Sequence, residues 1–183
     1  MAMARILNKN SPADDPAFWV VEEGLNGRTS SKEDQVEGDK NGLRQLLPIL
    51  ESHKPLDIVT VMLGTNDLKP RFSSMPYDIA RGAQRVVMAA QESKLGPNGS
   101  APKVIMICPP PTVEAPAFAH VFGNSVELSK KLSPFYRQLA KECGAIFLDA
   151  GTIVKTSQAD GIHFDPQGHL ALAQAVADII RGL

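Results

Sequence analysis

The sequence predicts an α/β protein, a three-layer α/β/α sandwich around a mostly parallel sheet. Three observations point there: short apolar runs alternate with amphipathic helical patterns, the runs are nearly continuous in hydrophobicity, as in strands covered on both faces, and polar or Gly/Pro-rich turns follow them. With 183 residues, one domain spanning 1–183 is the expectation.

Four strands are read at 18–21, 58–63, 104–108 and 145–148, each brief and bounded by Gly, Pro, Asn or Asp. Ile79, Ala83, Val86, Val87 and Ala90 fall on one helical stripe, with Arg81, Gln84, Arg85 and Gln91 on the other faces. Leu128, Leu132, Phe135, Leu139 and Cys143 form a second, in which Pro134 kinks the helix or moves its start downstream. In the last helix Asp165 is the N-cap, Pro166 the first helical residue, and Leu172, Val176, Ile179 and Ile180 the buried side. A segment over 43–50 is weaker because Pro48 interrupts it.

Composition narrows the function. Nineteen Lys and Arg against twenty Asp and Glu give a net charge of -1, so no basic field draws the chain to nucleic acid or anionic lipid. No run is long enough for a membrane span, and the opening residues are too polar for a secretory signal. Cys108 and Cys143 read as buried free thiols, and the cytoplasm is expected. The four His and two Cys show no metal-ligand spacing, and no phosphate loop or dinucleotide fingerprint is present. No cofactor or metal is implied.

Sites in open α/β folds gather at the carboxyl ends of strands, and the turns there carry chemistry. Asp160 and His163 stand three apart before the last helix, so the carboxylate can accept from one ring nitrogen and leave the other to take a proton. Asn66, directly after a buried strand, can aim an amide at a developing oxyanion, and Gly27 can offer an unobstructed backbone N–H. Trp19 reads as core filling, Ser30 and Ser31 as loop residues in water, and the mixed-sign cluster Lys32, Glu33, Asp34, Glu37, Asp39 and Lys40 as a solvated loop. Pro116, Phe118, His120 and Phe122 are placed to line an acyl pocket.

The strings EEGLNGRT at 22–29, LDIVTVMLGTND at 56–67, PKVIMICPPP at 102–111 and DGIHF at 160–164 resemble those of the SGNH hydrolases, or GDSL esterases, nearest the bacterial arylesterase and acyl-transferring branch. The resemblance implies a flavodoxin-like sandwich, an acyl-enzyme mechanism on short-chain or aryl esters, oxyanion roles for Gly27 and Asn66, and an Asp160–His163 dyad. Oligomers occur in that branch, so a homo-oligomer is allowed for.

The family's Gly-Asp-Ser nucleophile motif is absent from the 183 residues. Ala4 to Leu7 look like the family's first strand, yet they run within a few residues into the second, so the nucleophile block and first covering helix are expected to be missing. By parallel crossover the short strand would dock in its usual slot between the second and third strands, bringing Ser11 near the missing serine as a substitute nucleophile. Weak or lost activity is the consequence. The alternative is a noncatalytic scaffold or deletion product that binds a ligand or self-associates through uncovered sheet.

Overall fold

A computed structural model describes residues 3–8, 19–123 and 125–183. Its strands are β1 (Met3–Asn8), β2 (Trp19–Glu22), β3 (Ile58–Met62), β4 (Lys103–Cys108) and β5 (Ile146–Asp149), in the order β2-β1-β3-β4-β5. The helices are α1 (Gly42–His53), α2 (Pro76–Glu92), α3 (Ala119–Phe122), α4 (Ser125–Ser129), α5 (Leu132–Glu142) and α6 (Pro166–Arg181).

Strand alternation divides the core into two layers. Val59 and Val61 of β3 and Val104 and Met106 of β4 pack under α1, α2 and α5, together with Leu50, Ile79, Val87, Leu132 and Leu139. Ile58 and Met62, with Ile105 and Ile107, face the other way onto Leu172, Val176 and Ile180 of α6. Among the described residues α6 is the only α-helix on that second face, where Ala150 of a 3₁₀ turn and Val154 also pack.

β3, β4 and β5 are parallel neighbours, and β2 runs in their direction. β1 takes the expected slot but in the reverse sense, antiparallel to both β2 and β3, with Leu7 opposite Ile58 and Asn8 opposite Trp19. That corrects the parallel docking. The ten residues between β1 and β2 suit a hairpin-type return, whereas a parallel crossover needs a dozen or more. The end of β1 therefore lies beside the starts of β2 and β3, at the rim opposite the one where β3 and β4 finish.

Two local expectations are also corrected. Trp19 is 67% exposed and Val20 is exposed as well, because they open an edge strand instead of filling the core. α1 runs unbroken through Pro48 for 12 residues, with Asn41 Oδ1 capping the Arg44 N–H at 3.2 Å. Pro48 forfeits only the bond to the Arg44 carbonyl, on an exposed face, while Leu46 and Leu50 stay buried. Pro134 falls in the first turn of α5, where no intrahelical N–H is needed, and Leu128 belongs to the separate α4. α6 begins as the sequence indicates, with Asp165 Oδ1 accepting from Gly168 N at 2.7 Å.

Candidate active site

Asp160 and His163 meet. His163 Nδ1 lies 2.6 Å from Asp160 Oδ2, and Asp160 Oδ1 accepts the backbone N–H groups of Ile162 and His163, both at 2.9 Å. Burial pushes the carboxyl up, but the two N–H donors and the imidazole outweigh it and hold Asp160 below its ordinary value. An ionised carboxylate on Nδ1 assigns the proton to that nitrogen and leaves Nε2 as acceptor. The imidazole is 39% exposed, open to a reactant from solvent.

The turn is fixed by Gly161, whose φ of +80° suits glycine and whose Cβ would lie 2.2 Å from the Val113 carbonyl oxygen. Val113 N donates to Gly161 O at 3.0 Å, and Ser157 N donates to His163 O at 2.7 Å. The dyad is thus fastened to the loop that follows β4. Phe118 sets its ring edge-on to the imidazole, with centroids 6.2 Å apart.

Past β3, the Tyr136 hydroxyl donates to the Leu63 carbonyl at 2.6 Å, and a Cβ on Gly64 would strike that hydroxyl. Asn66–Leu68 then form one 3₁₀ turn. Asn66 is 7% exposed, and its Nδ2 donates to the Arg28 carbonyl at 3.1 Å. That bond uses one of the two amide hydrogens.

A second stitch joins the same turns. Asp67, 1% exposed, accepts the Ser30 hydroxyl at 2.6 Å and the Ser30 N–H at 2.9 Å. Burial raises the Asp67 pKa against the pull of these donors. The Ser30 of the sequence reading, placed in water, is in fact fully buried, and Ser31 is half-buried. Gly27 has φ +80°, and the space beside its Cα is taken by the Glu37 carboxylate. Arg28, also buried, reaches Gln45 Oε1 at 3.1 Å and the Glu23 carbonyl; burial lowers its pKa and Glu23 opposes this.

The solvated-loop reading of 32–40 is corrected at Asp34, which is buried and paired with Lys69 and Arg71. These cations come from more than thirty positions away, so local charge mixing gave no sign of them. Ser30, Asp67, Tyr136 and Lys69 are the site-shaping residues that sequence reasoning missed, and the only signal available for Asp67 was its place at the end of the GTND turn.

Thr65, Pro109, Pro110 and His163 line one small cavity of about 10 Å³, so the turns after β3 and β4 and before α6 converge at one rim. A larger cavity of about 470 Å³ adjoins it, walled by Asp160 and Ile162 and by Pro116, Phe118 and Phe122. His120 is not in its lining. Ser11 lies outside the described residues. Among the described residues no group of three or more His, Cys, Asp or Glu could hold a metal, and no helix is long and apolar enough to cross a membrane.

The Asp160–His163 pair and the buried Asn66 amide thus stand in turns of an α/β sandwich. The chain belongs to the GDSL-like lipase/acylhydrolase family, whose model matches residues 2–171. It is similar to the solved Est24, a carbohydrate acetylesterase from Sinorhizobium meliloti, at 39% identity and a TM-score of 0.84, over 88% of this chain and 77% of that one. It is similar also to the aryl esterase of M. smegmatis, at 36% identity and a TM-score of 0.84, over 89% of this chain and 78% of that one. An acetylxylan esterase from Xylanibacter ruminicola is 25% identical over 182 residues, covering 90% of this chain and 36% of the relative. The chain spans about a third of that relative's length.

Proposed function

We propose that this chain, as one domain over 1–183, hydrolyses small short-chain or aryl esters, with the acetyl group as the leading acyl class. The observation that carries the reading is the 2.6 Å contact of His163 Nδ1 with an Asp160 carboxylate fixed by two backbone N–H groups. His163 Nε2 takes the proton of the attacking hydroxyl as the C–O bond forms; Asp160 orients the ring and stabilises the imidazolium. The carbonyl oxygen, now an oxyanion, accepts from Gly27 N–H and the second Asn66 amide hydrogen. Collapse expels the alcohol, which recovers the proton from His163.

Two sources of the attacking hydroxyl are carried. Ser11 would give an acyl-enzyme that water then cleaves. A water activated by His163 would act directly and slowly, and the reversed β1, which ends at the opposite rim, favours this route. The relatives' names, two acetylesterases and an aryl esterase, support the acyl class. Both cysteines are free, in keeping with the cytoplasm, and the exposed Trp19 and Val20 on edge strand β2 support self-association.

The test is p-nitrophenyl acetate turnover by monodisperse protein, with intact mass after a fluorophosphonate. Label at Ser11, with label and turnover both lost in Ser11→Ala, assigns the acyl-enzyme route. Turnover lost in His163→Ala without labelling assigns the water route. No turnover above buffer overturns the enzymatic reading in favour of a noncatalytic scaffold.

A further inference from the structure

The two turns offered as oxyanion donors are bridged by four charged side chains. Asp34 Oδ1 accepts the Val36 N–H at 2.9 Å and the Glu37 N–H at 3.1 Å, shaping the turn that carries Glu37. Glu37 Oε1 is 2.5 Å from both Lys69 Nζ and Arg71 Nη2. Asp34 Oδ2 is 3.6 Å from Lys69 and 3.3 Å from Arg71. Two anions and two cations thus balance around a Lys69 that is 3% exposed and an Asp34 side chain that is fully buried.

Each end of this cluster touches a proposed donor. Glu37 Oε2 lies 2.4 Å from where a Cβ on Gly27 would stand, so the carboxylate rests against the Gly27 Cα. Lys69 N donates to the Asn66 carbonyl at 3.3 Å, closing the turn that carries the Asn66 amide. The Ser30–Asp67 and Asn66–Arg28 bonds hold the backbone after Gly27, whereas Glu37 bears on Gly27 itself. Without Glu37 the buried Lys69 ammonium would keep only the more distant Asp34 carboxylate, so Lys69 holds Glu37 in place.

Resting on the proposed ester chemistry, we infer that Glu37 is a positioning residue, set by Lys69 and Arg71, that fixes the gap between the Gly27 N–H and the Asn66 amide. Transition-state stabilisation depends on donors aimed to within a few tenths of an ångström of the oxyanion, and a shift of about 1 Å costs on the order of 10² in rate. Glu37→Gln keeps the shape and removes the charge that holds both cations.

The test follows p-nitrophenyl acetate turnover, thermal unfolding and ¹H–¹⁵N spectra of the full chain. For Glu37→Gln the expected result is a kcat lowered about 10- to 100-fold with KM within about twofold, and resonances displaced at Gly27 and the Asn66 side chain but not at Gly161. Arg71→Gln, which removes one of the two cations on the same oxygen, is expected to lower kcat several-fold in the same pattern, and it decides the matter if Glu37→Gln fails to fold. A lowered unfolding midpoint with kcat unchanged would assign the cluster a merely structural role and overturn the inference. If the wild type turns over no ester, the enzymatic reading fails separately, and the Gly27 and Asn66 resonances alone decide: displacement supports the positioning role, and no movement overturns it.

Discussion

The hydroxyl of Ser30 donates to the carboxylate of Asp67 at 2.6 Å across 37 positions of sequence, in a place that water does not reach. This bond ties the turn after β2 to the turn after β3. In Ser30→Ala the carboxylate loses its hydroxyl donor and keeps backbone N–H donors, and a buried group deprived of a donor costs about 1–3 kcal/mol. Urea unfolding is expected to show a loss in that range with an unchanged m-value.

Asp67 also shapes the pH dependence of stability. Its folded pKa is raised above the ordinary 3.8 by burial, so the folded state binds the proton more tightly. Its contribution is present below pH 3.8 and is lost as pH rises through the folded value. Asp67→Asn removes that loss. The urea midpoint of the variant, relative to wild type, is therefore expected to be higher at pH 7 than at pH 4.

Asp160 has the opposite sign. Burial raises its pKa, but the backbone N–H groups of His163 and Ile162 and the imidazole together bring it below 3.8. Its contribution is present above 3.8 and disappears as pH falls through the folded value. Asp160→Asn is expected to flatten this acid limb in unfolding curves taken from pH 5 downward, and, on the proposed ester chemistry, to lower turnover sharply because the imidazole loses the carboxylate that fixes its tautomer.

Gly161→Ala places a methyl 2.2 Å from the Val113 carbonyl oxygen at a φ of +80°. The left-handed conformation alone costs about 1–2 kcal/mol, and the clash forces the turn to shift. Turnover is expected to fall together with the melting temperature, and the His163 Nδ1–H resonance is expected to move as the dyad separates.

Tyr136→Phe strips the Leu63 carbonyl of its buried donor. A loss of about 1–3 kcal/mol in urea unfolding is expected, with the amide of Gly64 displaced in the ¹H–¹⁵N spectrum.

Much of this was legible in the chain. Periodicity placed β3, β4, α2 and α6 because their apolar residues are covered on fixed faces, and the Asp165–Pro166 start was local chemistry. The Asp160–His163 contact was readable because three residues of turn suffice to build it. What escaped was non-local: the sense of β1, set by the pairing of both its neighbours, and the burial of Ser30 and Asp34, set by partners more than thirty positions away. Trp19 misled because aromatic character signals burial only where a second layer exists to receive it.

The N-cap of α6, Asp165, stands two residues beyond His163, and among the described residues α6 is the only α-helix covering its side of the sheet. Anchoring of that terminal rod and placement of the proposed proton acceptor, His163, are consequently coupled. Were the rod to peel away, Ile105 and Ile107 would be wetted and the imidazole would lose its footing in the same motion, so exchange of the α6 amides reports on how often the His163 turn is released.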